Sequence, residues 1–373
     1  MLELPEELVQ LRSVAKSVAQ KLAVAYVERD LRDEWVPEVL PELARAGLIG
    51  LDIPEEAGGQ GAGKLAAGVV CEEIAYGDVS VSSVVTQCDL VGNLLRLHAD
   101  PEVAAEWLPR LLAGEITAAL GITEPGVGSD LRRVSTRATR EGNEWILRGE
   151  KSSISFPYSG VFVVMARAED GLALFVVPGD APGISSQRLD DLGMHVVGRG
   201  VKIFDDVRIP LKNRLGQEGT GLRQLMAAFA TSKVMFSLTA VGAARASLDE
   251  AIAWAKERET FGAPIAARQG VAFPLAMHSV EIEMARLLCW KALDLADRGL
   301  DFRMAAAQAK AWVPRHMFDI CHDAVLTLGH IAYSREHPAQ ARLRDVIGTE
   351  LGEGTEQTQL ILVARYLTGI NAN

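Results

Sequence analysis

The order of helix-like and strand-like segments is what most constrains this 373-residue chain. Up to about residue 118, apolar residues recur at three- and four-residue spacing, as in Val36, Leu40 and Leu43 and again in Val103, Trp107 and Leu111. That is the period of a helix buried on one face. A glycine-rich break at 54–63, PEEAGGQGAG, reads as a loop. From about 119 to 213 the segments shorten and β-branched residues gather. The stretch 135–139 alternates, 141–143 turns and 145–147 follows, and the apolar runs 161–166 and 172–177 flank the turn Asp170-Gly171. Beyond about 214 the helical period returns. Val280, Met284, Leu287 and Leu288 share one helical face, and Ala240, Gly242, Ala243 and Ala244 allow close helix packing. Helices, then strands, then helices is a segregated order without βαβ alternation, which disfavours a doubly wound sheet. The predicted fold is mainly α with a middle β domain, divided at 1–118, 119–213 and 214–373.

A net charge of -11 sets nucleic acid and anionic membrane aside as partners. No apolar run reads as long enough to span a bilayer. The start, MLELPEELVQL, reads as an acidic helix start and lacks the basic-then-apolar pattern of a leader. Cys71, Cys88, Cys289 and Cys321 are widely spaced, which points to the reducing cytoplasm and away from a disulfide framework or zinc site. His316, Cys321 and His322 read as ordinary helical residues, so no metal is expected.

Three segments carry chemistry. The loop 121–130, GITEPGVGSD, combines three glycines, two hydroxyls and free backbone N–H groups, so it can approach a planar or anionic ligand closely. It also reads as a plain helix-to-strand turn. In Gly352-Glu353-Gly354-Thr355 a carboxylate stands between two glycines. Buried beside apolar residues such as Leu351, it would bind a proton more tightly and serve as a general base. The same segment reads equally as a helix start capped by Thr355 and Glu356. Arg258-Glu259-Thr260-Phe261-Gly262 with Gln269 offers an arginine and an amide for a pyrophosphate, or a solvated helix end.

Together, GITEPGVGSD, FDDVRIP (204–210) with LGQEGTG (215–221), RETFGAPIAARQ (258–269), SREHP (334–338) and RD (344–345) followed by EGT (353–355) resemble the acyl-CoA dehydrogenase family in order and spacing, as does GLIGLDIPEEAGGQG (47–61). The resemblance spans nearly the whole chain. It implies an N-terminal helical domain, a middle β-barrel and a C-terminal four-helix bundle, with FAD bound between them in a dimer or tetramer. By position, Thr123, Ser129 and Thr355 would contact the cofactor, and Ser155 matches a threonine near flavin N5. Arg258, Phe261 and Gln269 would hold the adenine end of FAD bound mainly by a neighbouring subunit. Glu353 matches the catalytic glutamate, flanked on the substrate side by Gly352, Gly354 and Lys233. The implied reaction converts an acyl thioester to the 2-enoyl thioester. Glu353 takes the α-proton, the β-hydride goes to flavin N5, and the Glu353 N–H helps hold the thioester oxygen. Electrons would pass to an electron-transfer flavoprotein. The acyl carrier is CoA or a carrier protein. A flavin oxidase or monooxygenase, and a non-catalytic scaffold, are the competing readings.

Several positions depart from the family pattern. Ser153 replaces a tryptophan, Gly352 a tyrosine and Lys233 an arginine. His330 and Ala332 replace glycines, and Arg133 replaces a small residue. The first two changes are expected to widen the acyl chamber. KSSISF and LGHIAYS look like the segments of dehydrogenases acting on cyclohexanecarboxyl-CoA, so a branched or alicyclic acyl group is expected. Asp89, in the stretch 84–90, either caps or faces solvent, or places a second carboxylate in that chamber.

Overall fold

The computed structural model describes residues 4–32, 38–217 and 219–370, so Val36 lies outside the described residues. The chain opens with six helices: α1 (Glu6–Val24), α2 (Tyr26–Arg32), α3 (Val39–Arg45), α4 (Lys64–Gly77), α5 (Val79–His98) and α6 (Pro101–Leu112). Leu40 and Leu43 of α3 and Val103, Trp107 and Leu111 of α6 are buried, as their spacing predicts. Asp78 ends α4 and caps α5, accepting the Val81 N–H at 3.0 Å and the Arg29 Nε at 2.8 Å.

Strands follow: β1 (Ala118–Gly121), β2 (Arg137–Glu141), β3 (Glu144–Ser155), β4 (Val161–Ala168), β5 (Gly171–Pro178), β6 (Ile184–Leu189), β7 (Arg199–Pro210) and β8 (Arg214–Leu215). They form one eight-stranded sheet in the order β6-β7-β3-β2-β4-β5-β8, with β1 parallel to β4. No pairing joins β6 to β8 among the described residues, so the expected barrel is not closed by hydrogen bonds. Both faces of β4 are covered, which is why 161–166 is continuously apolar. The β3–β7 ladder slips between Lys151 and Ile154, and this bulge frees Ser152 and Ser153 from pairing.

The rest is helical: α7 (Gly221–Glu257), a small hairpin of β9 (Glu259–Thr260) and β10 (Ala263–Pro264), α8 (Gln269–Asp297), α9 (Arg303–Leu328), α10 (Pro338–Leu351) and α11 (Glu356–Thr368). By length and composition α7 is apolar enough to cross a membrane, contrary to the sequence reading, yet most of that stretch is buried inside the protein. It is apolar because α4, α5, α8, α9 and α10 pack around it. Ala240, Gly242, Ala243 and Ala244 are buried where α4 crosses; a Cβ on Gly242 would lie 2.3 Å from the Glu72 carbonyl oxygen. On α8 the buried stripe is His278, Ile282, Ala285 and Cys289, while Val280 and Met284 face outward with Phe273 and Met277. The helix carries two stripes at helical spacing, and the one with His278, Ile282, Ala285 and Cys289 packs inward.

The three regions meet at α10. Asp345 accepts the Tyr26 hydroxyl of α2 at 2.7 Å and the Met194 N–H of the β region. Arg344 donates to Asp30 of α2 and to the Leu192 carbonyl. Arg342 donates to Ser247 of α7 at 3.0 Å.

Replacing Gly242 by alanine tests the close α4–α7 crossing. Alanine gains about 1 kcal/mol of helix propensity, but its methyl meets backbone that cannot step aside, and such overpacking costs roughly 1–3 kcal/mol or more. A net fall in melting temperature is expected; a rise would mean the helices are not this close.

Candidate active site

The end of α10 and the start of α7 define the site. After α10 the chain turns through Gly352 to Glu353, whose φ is +58°, then Gly354 at +90°, before Thr355 caps α11. Left-handed backbone is uncommon for a residue with a Cβ and persists only where its surroundings enforce it. The Ser232 hydroxyl of α7 donates to Glu353 Oε2 at 2.8 Å. Burial raises the Glu353 carboxyl above its ordinary value, against the opposing pull of that bond and of Lys233 and Lys310. The apolar neighbour named from sequence, Leu351, is exposed; the low-polarity wall comes from Phe236 instead. A Cβ on Gly352 would lie 2.7 Å from the Phe236 ring, so Phe236 occupies the space into which a side chain at 352 would grow. The widening expected there is therefore filled from α7.

Lys233 donates to Gln359 Oε1 at 3.0 Å, and burial lowers its ammonium below the usual lysine range while Glu353 opposes. Gln359 is buried against Gly354, where a Cβ would come within 2.6 Å of its Nε2. Thr355 Oγ1 accepts the Thr358 N–H at 3.5 Å, the capping role left open by the sequence.

The loop 121–130 is braced from beneath. Glu124 accepts Lys151 Nζ at 2.8 Å and both the N–H and hydroxyl of Ser135 and of Thr136. Burial alone would raise the Glu124 carboxyl, but these donors outweigh it and hold it at about 2. The half-buried Thr123 accepts the Ser152 N–H at 2.9 Å through its carbonyl, fixing the loop to the β3 bulge. Ser129 is exposed, and nothing lies within 4 Å of a Cβ built on Gly126 or Gly128. Ser153, at φ +54°, is exposed, and Arg199 Nη1 approaches its hydroxyl at 3.5 Å. Ser155, two residues on, is half-buried.

Arg258, Phe261 and Gln269 stand apart from all of these. Ser232 and Arg258 are 26 residues apart along α7 and its end, about 39 Å at 1.5 Å per residue. All three are exposed; Phe261 is 98% exposed and holds φ +50°. Beside them, the turn of Gly329–Tyr333 packs Ala332 under Trp254, with His330 and Tyr333 outward.

The acyl-CoA dehydrogenase N-terminal, middle and C-terminal domain models match residues 5–115, 119–207 and 219–368. The mitochondrial short-chain specific acyl-CoA dehydrogenase of Rattus norvegicus is 32% identical over 375 residues, covering 98% of this chain and 91% of that protein. The chain belongs to the acyl-CoA dehydrogenase family. Butyryl-CoA dehydrogenase from Megasphaera elsdenii superposes with TM-score 0.94 at 28% identity, covering 98% of this chain and 99% of that one. Glutaryl-CoA dehydrogenase from Mycobacterium smegmatis, solved in complex with FADH2, gives 0.95 at 26% identity and covers 99% and 96%. As a family member the chain is an FAD-carrying oxidoreductase acting on acyl-CoA.

For this acyl-CoA dehydrogenase the residues near the loop fit the cofactor. Thr123, Ser129 and Ser155 offer hydroxyls, and Gly126 and Gly128 leave the loop face open. Sequence reasoning missed Ser232, Phe236, Lys310 and Gln359, because a serine or lysine inside an apolar helix has no local mark of function. Of the two places expected for Asp89, the solvent-facing one is overturned, since the residue is 2% exposed. It lies against the Leu51–Asp52 backbone, with the Asp52 N–H at 3.4 Å and its other oxygen unpartnered among the described residues. Asp52 in turn pairs with Lys64 at 2.7 Å.

Burial first, and then the Asp52 charge, push the Asp89 carboxyl up to about 8. Between the ordinary aspartate value near 4 and about 8, the folded state keeps a proton that the unfolded chain releases, so stability falls as pH rises across that window. Asp89→Asn cannot titrate. Relative to wild type it should gain at least ~1 kcal/mol between pH 5 and pH 8 in denaturant melts. Parallel stability curves would show that Asp89 does not titrate there.

Proposed function

We propose that Glu353 is the base that removes the α-proton of the acyl thioester, and that the acyl group is branched or alicyclic. The observation that carries the first half is the Glu353 carboxyl itself. It is raised by burial, oriented by the Ser232 hydroxyl and set between two glycines on a fixed left-handed turn. A base with raised proton affinity is better matched to a weak carbon acid than a solvated carboxylate. The Glu353 N–H is proposed to hold the thioester oxygen, where charge develops as the proton leaves. Bound FAD supplies the acceptor for the hydride. Ser232 keeps the carboxyl aimed, and Lys233 and Lys310 favour its ionised form against burial.

The substrate half rests on the resemblance of the segments 151–156 and 328–334 to those of dehydrogenases acting on cyclohexanecarboxyl-CoA. Beside the base, Phe236 fills the space that Gly352 leaves and presents an aromatic face there. Thioesters of CoA and of a carrier protein both present the same reacting atoms. Electron-transfer flavoprotein is the proposed acceptor by family resemblance. The four free, buried cysteines suit a reducing compartment such as the cytoplasm.

Anaerobic flavin bleaching tests both halves. Cyclohexanecarboxyl-CoA or a branched acyl-CoA should reduce the wild-type enzyme faster than butyryl- or octanoyl-CoA, with the rate declining at acid pH as Glu353 takes up its proton. Glu353→Gln should retain FAD and lose roughly 100-fold or more of the rate. Wild-type bleaching by that variant removes the base assignment; a preference for straight chains removes only the acyl assignment.

The separation of Arg258, Phe261 and Gln269 from the Glu353 end supports an assembly in which one copy's outlying residues complete the cofactor site of another, as a dimer or tetramer. The exposed Phe273, Met277, Val280 and Met284 stripe supplies apolar surface for it. Arg258→Ala should release FAD more readily and shift the oligomer toward smaller species in sedimentation, since a shared ligand couples binding to association. A monomer that holds FAD tightly would contradict this.

A further inference from the structure

Lys310 has no surface role open to it. It lies on α9, is 1% exposed and forms no ion pair among the described residues. Its ammonium donates instead to two carbonyl oxygens, those of Thr349 at 2.8 Å and Glu350 at 3.4 Å. The other deeply buried lysine near the cofactor loop, Lys151, has the Glu124 carboxylate to offset its burial. A buried ammonium without a carboxylate partner is costly, and Lys310 is accordingly lowered to about 8, chiefly by burial. The feature that compensates is its location. Thr349 and Glu350 are in the last turn of α10, where carbonyls lack helical partners and the helix dipole is negative. Four residues past Thr349, the chain reaches Glu353 and its left-handed turn.

We propose that Lys310 is a positioning residue for proton abstraction: it anchors the last turn of α10, so that Glu353 is held in its left-handed conformation, and supplies a fixed positive charge behind the carboxylate. The inference rests on Glu353 being the base. On the carboxyl-terminal side the turn is fixed by the Thr355 cap of α11, and Lys310 fixes the other side. Together they over-determine a backbone conformation that a residue with a Cβ avoids when free. The charge environment is small. Glu353 faces Lys233 from α7 and Lys310 from α9. Lys310 faces Glu353, Lys233 and Glu350 from α10, and Glu350 is faced by Arg315 and Asp319 of α9 and Glu356 of α11. Both lysines favour the ionised carboxylate. Above about pH 8 Lys310 gives up its proton, and that support for the carboxylate lapses.

The test uses FAD-loaded Lys310→Met, which keeps the side-chain length without donors or charge, and Lys310→Arg, which keeps both. Three quantities are read: the pH profile of anaerobic flavin reduction, the dissociation constant of the acyl-CoA, and hydrogen exchange of the amides at 351–355. Lys310→Met should move the reduction profile to higher pH, lower the maximal rate roughly 10-fold or more, leave the dissociation constant within twofold and speed exchange across 351–355. Lys310→Arg should restore the profile, at least in part. If Lys310→Met lowers only the melting temperature and keeps the wild-type pH profile and exchange, Lys310 is a structural cap and the proposal is overturned. If Lys310→Met does not fold, a wild-type pH profile in Lys310→Gln overturns it equally. Glu353→Gln, run alongside, separates the two failures. Full activity in that variant discards the base assignment, whereas its loss beside an unchanged Lys310→Met discards only the role of Lys310.

Discussion

The fixation of helix α10 is the constraint on which the rest of the structure depends. Its middle is locked where three regions meet: Asp345 to Tyr26 and Met194, Arg344 to Asp30 and Leu192, Arg342 to Ser247. Its carboxyl end rests on Lys310. A short helix held at both points acts as a rod, and the residue at its tip, Glu353, inherits that rigidity. The α-proton of a thioester is lost only if a base stands within hydrogen-bond reach of it, and small misplacement is costly in rate. The locks are polar and buried, so each depends on complete pairing; burial pushes Asp345 itself up to about 7 despite its two donors.

The site joins two opposite electrostatic solutions. Under the cofactor loop, Glu124 is surrounded by donors and held at about 2, so it remains charged at any working pH and serves as a brace. At Glu353 a single hydroxyl donates, burial prevails, and the carboxyl is raised. Two glutamates therefore take different roles according to how many donors reach them. Left-handed backbone occurs both at the site and away from it. Among the described residues, Ser153, Phe261 and Glu353 have positive φ at positions the family resemblance ties to cofactor or substrate, whereas Phe156, Met194 and Asp206 have it elsewhere.

The segregated order of helices and strands was legible because periodicity is a local property. Leu40, Leu43, Val103, Trp107 and Leu111 face the core as their spacing demands, and the small residues of α7 meet α4. The motif residues were legible because a carboxylate between glycines and a loop of glycines and hydroxyls are unusual locally. Val280 and Met284 were not: α8 has two stripes at helical spacing, and periodicity cannot say which of them a neighbour will cover.

The sequence by itself determined the fold class, the loop at 121–130 and the glutamate at 353, since each is written in contiguous residues. Only the tertiary structure decided what surrounds that glutamate. Ser232, Phe236 and Lys310 lie 121, 117 and 43 positions before it by subtraction of residue numbers, and nothing local marks them. Tertiary structure also buried Asp89 and put Phe236 where Gly352 leaves room. It set Arg258 far along α7 from Ser232, the partner of Glu353. The physical reason is common to all of these: a pKa, a filled space or a shared site depends on distances through space, and those are set by how helices cross and not by the order of residues along any one of them.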